Sequence, residues 1–517
     1  MKKQIEISIH PEEIDLPKIL LIKSSEYLNF DKEKISAVIP QRRSIDARGK
    51  FPVFRYLLDV FIDEEPQPEN PFITYKPVNE KKKVIIVGFG PAGMFAALKL
   101  IELGIKPIVI ERGKDVQSRR RDIKAIQQEH IVNPDSNYCF GEGGAGAYSD
   151  GKLYTRSTKR GDVKRILKIL VQHGASEEIL IDSHPHIGSN RLPKIVAAIR
   201  ETILKNGGEI KFNSKVTDFI LKNNKLVGVK VNNEKDITAD SVILATGHSA
   251  RDIFYLLHNK KILIEPKSFA MGVRIEHPQT LINEIQYHTK IKPENLPAAS
   301  YSLSCNIDGR GVYSFCMCPG GIIVPSSTAP GEIVVNGMSV SKRNSPFANS
   351  GYVVEVTEKD WQKYSDSYPF AGLKLQMEIE RKAFELANKT QSAPAQKVND
   401  FVNRKLSSSL PKSSYIPGLT AVELHKELPE FIASRLRSSL KIFDKKMHGY
   451  YSEEAILVGV ESRTSSPIRV PRVRETMMHP QISGLFPSGE GAGYAGGIVS
   501  ACIDGENSAD AVYNYLK

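Results

Sequence analysis

The strongest structural signal in the chain is Val84-Ile85-Ile86-Val87-Gly88-Phe89-Gly90-Pro91-Ala92-Gly93. Its first four residues, all β-branched, predict a short buried strand, and its glycines predict a tight turn. Helical periodicity follows over 94–103, and a second apolar strand follows over 107–110. This order predicts a βαβ unit that opens a doubly wound, Rossmann-like α/β sheet.

The turn has the spacing of a dinucleotide-binding site. Gly88 permits the tight turn, Gly90 lets a pyrophosphate approach the backbone, and Gly93 allows the helix to pack closely on the strand. The N-terminus of that helix offers free N–H groups to an anion. Glu111, after the second strand, can accept hydrogen bonds from ribose hydroxyls. A tight turn without a ligand is the alternative interpretation.

Three other segments are rich in glycine or small residues. The loop 141–151 contains five glycines, so its backbone can lie close to a flat or phosphorylated ligand. The segment 245–247 closes a predicted strand, and the segment 489–498 precedes a helix of small residues. The loop 141–151 could instead be a flexible glycine loop beside a solvated basic face, and either of the other two segments could by itself be an ordinary turn. Residues 146–152 also match most of a P-loop, but Leu153 stands where a Ser or Thr must bind magnesium, so nucleoside triphosphate hydrolysis is discounted.

Taken together, these segments resemble the FAD-dependent oxidoreductases of the glutathione-reductase structural superfamily. Within it, residues 133–151, 246–252, 316–321 and 489–497 resemble a bacterial family described only as uncharacterised FAD-dependent dehydrogenases. The resemblance implies that FAD is bound non-covalently by Gly88, Gly90, Pro91, Ala92, Gly93, Glu111, Arg112, Gly144, Ser149, Gly151, Lys152, Leu153, Val216, Thr246, Gly247, Gly489, Glu490, Gly497 and Ile498.

The same resemblance implies roles for the two ends of the cofactor. Glu490 would meet the ribityl chain, although the superfamily more often has Asp at this position. Gly497 and Ile498, where the last helix starts, would direct N–H groups at the flavin pyrimidine, which becomes negative on reduction. The redox cysteine pair and the second G-x-G-x-x-G of the disulfide reductases do not occur in their usual places. NAD(P)H would therefore act only as a transient electron donor, without a dedicated domain.

The chain divides into three predicted domains. Residues 1–80 form a small α/β module with a linker marked by Pro66, Pro68, Pro71 and Pro77. Residues 81–255 plus 451–517 form the FAD-binding domain. Residues 256–450 form an inserted mixed α+β substrate domain, which takes the place of a nicotinamide domain.

Five residues are candidates for the chemistry. Cys316 and Cys318 lie in a predicted strand, 311–318, where side chains two apart share a face, and a disulfide between them needs the strand to bend. His248 follows the 245–247 turn, and Tyr494 lies between small residues of the last glycine segment. Arg463 heads a group of arginines that can clamp a carboxylate or phosphate. The alternatives are buried structural cysteines, a domain seam and a salt-bridged loop.

Composition narrows the function further. The 517 residues include 71 Lys plus Arg against 59 Asp plus Glu, a net charge of +12, which favours anionic partners. Five cysteines without paired spacing favour a reducing, cytoplasmic location, and no apolar run predicts a membrane span or signal peptide. Metal-binding motifs are also missing from the sequence.

We therefore expect an FAD-dependent oxidoreductase that transfers a hydride between the flavin and an anionic small molecule or NAD(P)H. A flavoprotein acting on RNA and a non-catalytic FAD-binding or sensing protein are the alternatives. The RNA alternative is weakened because residues 1–83 are nearly neutral, with 15 basic and 14 acidic side chains.

Overall fold

The computed structural model describes residues 1–67, 72–79, 81–155 and 160–517. Pro66 and Pro77 of the predicted linker lie in irregular segments, whereas Pro68 and Pro71 fall outside the described residues. Among the helices in those ranges, none combines the length and apolar character that crossing a membrane requires.

A small antiparallel sheet begins the chain. Residues 2–62 form β1 (Lys2–Ile9), α1 (Ile19–Leu28), β2 (Ile35–Asp46) and β3 (Val53–Ile62), and the three strands make up this sheet. The strand order is β1-β3-β2, so β2 and β3 form the predicted hairpin. Ile5, Ile7 and Ile9 alternate with exposed residues and bury one face of β1. That apolar face continues into the core of the inserted region, so the module packs against it.

The next region contributes four strands to a parallel sheet and also forms a separate three-stranded meander. Its elements are β4 (Lys83–Val87), α2 (Pro91–Glu102), β5 (Lys106–Ile110), α3 (Arg119–Gln128), α4 (Val163–Gln172), α5 (Leu192–Lys205), β6 (Glu209–Lys211), β7 (Val216–Lys222), β8 (Lys225–Val231), β9 (Lys235–Thr238), β10 (Ser241–Leu244) and α6 (Arg251–Asn259). The predicted meander is present as the sheet β7-β8-β9. Its turns use Asn223-Asn224 and Asn232-Asn233, all four with positive φ, because asparagine tolerates the left-handed conformation that tight hairpins need.

A second large sheet follows. The elements are β11 (Glu265–Pro266), β12 (Phe269–Pro278), α7 (Gln279–Tyr287), β13 (Ser304–Ile307), β14 (Arg310–Cys318), β15 (Ile322–Pro325), β16 (Val335–Met338), β17 (Phe347–Val356), α8 (Ala371–Leu386), β18 (Ala393–Lys397), α9 (Val398–Asn403), β19 (Leu419–Ala421), α10 (Leu424–Glu427), α11 (Glu430–Lys446), β20 (Ile456–Glu461) and β21 (Ile468–Arg469). Seven of these strands form the second large sheet, in the order β13-β14-β17-β12-β20-β18-β19. Strand β20 belongs to this sheet although it lies outside the range 256–450, and the domain boundaries stay a prediction.

The chain then returns to the first sheet with β22 (Leu485–Pro487) and α12 (Ile498–Leu516). The parallel order is β22-β10-β4-β5-β6. Helices α2, α4, α5 and α12 cover one face, while the meander and α6 cover the other. Strands buried on both faces read as continuous apolar runs, as β4 and β10 do. The Rossmann-like α/β fold expected from the first βαβ unit is confirmed.

Helices α2 and α12 pack with almost no space between them at Gly505. A Cβ atom at this position would lie 2.1 Å from the carbonyl oxygen of Ala92. The glycine therefore lets the last helix lie against the helix that follows the 88–93 turn.

We predict that Gly505→Ala destabilises the protein by about 1–3 kcal/mol, because the added methyl group overpacks this contact. An alanine in a helix interior normally stabilises it, so the sign of the effect tests the contact. Thermal unfolding measures it, with Asn514→Ala on the exposed side of α12 as the control. A Gly505→Ala protein as stable as the control variant would contradict this account of the packing.

Candidate functional site

A cavity of about 370 Å³ lies where the carboxyl ends of β4 and β10 meet the second sheet. Open parallel sheets bind ligands at this edge. The predicted site residues that line it are Gly88, Gly90, Pro91, Ala92, Glu111, Arg112, Gly144, Ser149, Gly151, Lys152, Val216, Thr246, Gly247, His248, Cys316, Arg463, Gly489, Glu490, Gly497 and Ile498. Gly93, Leu153, Cys318 and Tyr494 are outside its lining.

The 88–93 turn is shaped by backbone contacts that exclude side chains. Gly88 has a φ of +100°, and a Cβ there would lie 2.4 Å from the oxygen of Ala245. A Cβ on Gly93 would lie 2.1 Å from the oxygen of Gly88, which explains why Gly93 packs behind the cavity instead of lining it. At Gly90 the nearest atom to such a Cβ is 3.8 Å away, so this glycine leaves room for a ligand.

Glu111 connects the 88–93 turn to the glycine loop 141–151. Its carboxylate accepts N–H hydrogen bonds from Phe89 at 2.8 Å, Gly113 at 2.9 Å and Gly141 at 2.9 Å. The contact with a ribose stays a prediction. Its neighbour Arg112 forms an ion pair with Asp252, and its guanidinium lies over the Phe140 ring at 4.5 Å.

Arg119 organises the second glycine loop and was not predicted from the sequence. Its side chain is fully buried and donates hydrogen bonds to four backbone oxygens, those of Asn137, Tyr138, Glu142 and Gly144, at 2.6–2.9 Å. The burial of Arg119 could have been inferred from the sequence, because it shares a helix face with the buried Ile123 and Ile126. The loop 141–146 therefore has a fixed shape.

Lys152, predicted to bind the cofactor, extends toward two cysteines of the inserted region. Its Nζ lies 3.8 Å from the Sγ of Cys316 and 3.6 Å from the Sγ of Cys318. Asp150 is 3.3 Å from the same ammonium group and also forms an ion pair with Arg343 at 2.7 Å. Leu153 is buried below this loop.

Strand β14 is not regular at the two cysteines. A bulge between Phe315 and Cys318 shifts its register against β17, and Cys316 has a φ of +45°. A disulfide between the two cysteines needs the strand to bend, and the bulge bends it at this position. Cys316 lines the cavity, whereas Cys318 is fully buried behind it.

His248 and Glu490 face each other across the cavity wall, with 3.9 Å between Nε2 and Oε2. Burial, together with the positive charge of Arg463, lowers the pKa of His248 to about 4, so the imidazole is neutral at physiological pH. Burial raises the pKa of Glu490 to about 7. A carboxyl group with this pKa can gain or lose a proton near neutral pH.

Arg463 and Arg472 are held by protein groups and are not arranged as the predicted anion clamp. Arg463 directs five hydrogen bonds at protein groups, which are the carboxylates of Glu332 and Glu380 and the hydroxyls of Ser249 and Thr328. No N–H of this side chain is left for a substrate, so Arg463 joins the two sheets. Arg472 pairs with Asp504 at 2.6 Å.

Tyr494 is turned away from the cavity. Its ring centre lies 3.9 Å from the Arg472 guanidinium, and its hydroxyl accepts the backbone N–H of Arg472 at 3.0 Å. This placement corrects the expectation that Tyr494 lies beside the flavin ring, because stacking on a charged guanidinium holds the phenol elsewhere.

The last glycine segment closes the cavity. The N–H of Gly489 donates to Asp504 at 2.7 Å. Cβ atoms added to Gly496 or Gly497 would meet nothing within 4 Å, so open space lies at the start of α12. The backbone there is free to approach a flat ring, and the helix N-terminus favours negative charge.

Comparisons with known proteins agree with this geometry. Residues 82–253 match the family described as pyridine nucleotide-disulphide oxidoreductase, and residues 268–464 match FAD-dependent protein, C-terminal domain-like. Residues 1–61 match a domain of unknown function. An uncharacterized protein of Clostridium beijerinckii is 40% identical over 514 residues, which cover 96% of this chain and 95% of that protein.

More distant similarities are also present. The thiamine thiazole synthase of Aeropyrum pernix is 25% identical over 185 residues, covering 33% of this chain and 56% of the enzyme. The crystal structure of CtdE in complex with FAD covers 84% of both chains with a TM-score of 0.33 at 13% identity. A similarity at this TM-score supports no conclusion about activity.

The fold, the site and the matches to the family models define a FAD-dependent oxidoreductase. The chain belongs to the family that includes the Clostridium beijerinckii protein, and its cofactor is FAD. The residues present fit that group, because the 88–93 turn leaves room at Gly90 and the start of α12 is open.

Arg119 gives a direct test of the site's construction. We predict that Arg119→Met lowers the unfolding free energy by about 3 kcal/mol or more, because buried carbonyl oxygens lose their donors. FAD affinity should fall as well, since the loop 141–146 loses its fixed shape. Urea denaturation and FAD titration measure the two effects, and Arg121→Met, on the exposed side of α3, is the control. Unchanged affinity would show that the loop holds its shape without Arg119.

His248 makes the stability of the FAD-free protein depend on pH. Its pKa is about 4 in the folded chain against 6.5 when exposed, so the unfolded chain binds more protons between these values. Stability is therefore lost as the pH falls from 6.5 toward 4, by up to about 3 kcal/mol from this residue.

The measurement is the urea midpoint at about pH 7 and about pH 4.5 for the wild type and His248→Asn. The variant should lose less stability over this range. The same substitution at the exposed His184 should leave the wild-type loss unchanged. Equal acid losses in His248→Asn and the wild type would show that the imidazole is protonated in the folded protein.

Proposed function

We propose that the protein is a dehydrogenase or reductase that passes a hydride between the bound FAD and either NAD(P)H or a small anionic substrate. One observation carries the proposal: the cavity lined by the four segments 88–93, 141–151, 245–247 and 489–498 is also lined by Phe315, Cys316, Asn336 and Gly337 of the inserted region. A substrate on that side would lie against the cofactor.

Bound FAD supplies a reversible two-electron acceptor at this position. The chain's own groups set the conditions around it. The first N–H groups of α12 stabilise negative charge. Glu490 can hold or release a proton at its carboxyl group, while the neutral His248 imidazole beside it adds no competing charge.

Support for an anionic substrate now comes from Lys152. Arg463 is fully bonded to protein groups, and Arg112 is paired with Asp252. The Lys152 side chain is 34% exposed and lines the cavity, and Asp150, its carboxylate partner at 3.3 Å, is shared with Arg343. A compact ammonium group at the edge of a cavity attracts carboxylate or phosphate.

Three further assignments belong to this proposal. The flavoprotein superfamily is that of glutathione reductase, the inserted region 256–450 is the substrate domain, and the partner is a small molecule. The RNA-binding and non-catalytic alternatives gain no support from the family matches.

Anaerobic titration of the FAD-loaded protein tests the function. We expect NADH, NADPH or one member of a panel of carboxylated and phosphorylated donors to bleach the oxidised flavin absorbance. Rapid bleaching by a nicotinamide would identify the electron donor and direct the search to an acceptor. Bleaching by dithionite but by no organic donor would contradict the proposed dehydrogenase.

A further inference from the structure

Cys316 and Cys318 lie at the wall that the inserted region contributes to the flavin cavity. Cys316 has a left-handed φ of +45°, an unfavourable conformation for a residue with a Cβ, and it lies in the bulge of β14. Bulges beside active sites re-aim side chains. Here the bulge turns Cys316 into the cavity while Cys318 stays behind it, fully buried.

A buried arginine holds the backbone of the bulge. Arg274, which is fully buried and paired with Glu461 at 2.7 Å, donates from Nη2 to the backbone oxygen of Cys316 at 2.9 Å. The Sγ of Cys318 also approaches that oxygen, at 3.3 Å. Both thiols also lie beside one ammonium group, since the Lys152 Nζ is 3.8 Å from the Cys316 Sγ and 3.6 Å from the Cys318 Sγ.

The two thiols differ in pKa because of the hydrogen bond between them and the charges around them. The hydrogen bond from the Cys318 thiol holds the pKa of Cys316 well below its usual value, and the charges of Lys152 and Arg274 add to this effect. The same hydrogen bond and burial raise the pKa of Cys318. Asp150, Glu461 and Glu490 oppose a thiolate, but Asp150 is paired with Arg343 and Glu461 with Arg274.

Inert structural cysteines need none of these features. Buried cysteines in apolar surroundings have raised pKa values and make no contact with ammonium groups. Reactive cysteines are partly exposed and lie in electropositive surroundings, as Cys316 does. Cys305, on the neighbouring strand β13, has a raised pKa because of burial and lies outside the cavity.

We propose that Cys316 and Cys318 form a redox-active pair that exchanges two electrons with the bound FAD. The inference rests on the proposed function and assigns a second two-electron centre to the same site. In the oxidising direction the Cys316 thiolate and the Cys318 thiol form one S–S bond, and two electrons and one proton leave the pair. FAD takes up both electrons and that proton, so the exchange balances without another reactant. Lys152 is a positioning residue that stabilises the thiolate.

Electron counting on the FAD-loaded protein tests the pair. A disulfide and a flavin each take two electrons, so the air-oxidised wild type should consume about four electrons per FAD in an anaerobic dithionite titration. Cys316→Ser and Cys318→Ser should each consume about two. The first variant changes a partly exposed side chain, so it covers the case in which the buried Cys318→Ser fails to fold. Cys305→Ser is the matched control and should consume about four.

Alkylation shows whether the electrons pass through the flavin. Photoreduction of the bound FAD with light and EDTA should convert an unreactive, oxidised pair into two alkylatable thiols in the tryptic peptide 311–342. Lys152→Met should shift the pH dependence of Cys316 alkylation to higher pH while Cys305 alkylation stays unchanged.

The outcomes separate the two proposals. A wild type that takes up about two electrons, with both cysteines alkylated after exposure to air, would overturn the redox pair and leave the oxidoreductase intact. A disulfide that persists after full photoreduction of the flavin would also overturn it. A flavin that no organic donor reduces contradicts the proposed function instead.

Discussion

The site depends on one buried charge cluster that fastens the second sheet to the first. Arg251 at the start of α6 and Arg463 after β20 both bind Glu332 and Glu380, with contacts of 2.6–3.3 Å. Burial raises the pKa of Glu332, whereas the two guanidinium groups hold the pKa of Glu380 below its usual value despite burial. The two guanidinium groups compensate the two buried carboxylates, and Arg381 lies 3.9 Å from Glu332 as well. Loss of one member of a buried pair typically costs about 3–5 kcal/mol.

The cavity is a consequence of that fastening. Arg463 also donates to Ser249 and Thr328, and Ser249 in turn contacts His248 at 2.8 Å. The cluster therefore sets the distance between the 245–247 turn and the inserted region, and the positive charge of Arg463 helps keep His248 neutral. Burial, together with the negative charge of Cys316, raises the pKa of Glu490 to about 7. One set of long-range ion pairs thus links the two regions around the cavity and contributes to the low pKa of His248 in its wall.

This dependence explains which parts of the molecule could be predicted from the sequence. The 88–93 turn, the paired-asparagine turns of the meander and the strand containing Cys316 and Cys318 are local patterns, and all three are present. Arg463 was misinterpreted because its partners Glu332 and Glu380 lie 131 and 83 residues away in the chain. The bulge at Cys316 could not be predicted from the sequence for a similar reason, since it depends on Arg274 and on pairing with β17. Charges in a sequence do not reveal whether they meet solvent, a ligand or one another.

Lys152 shows how the two sheets combine into a single chemical site. The loop that carries it starts from the glycines of the first sheet, yet Asp150 anchors that loop to the inserted region through Ser339 and Arg343. Because Arg343 already balances the carboxylate of Asp150, the ammonium charge of Lys152 is available to the two sulfurs beside it. Neither region could place this charge alone. The glycine loop supplies the backbone freedom, and the inserted region supplies both the anchor and the groups on which the charge acts.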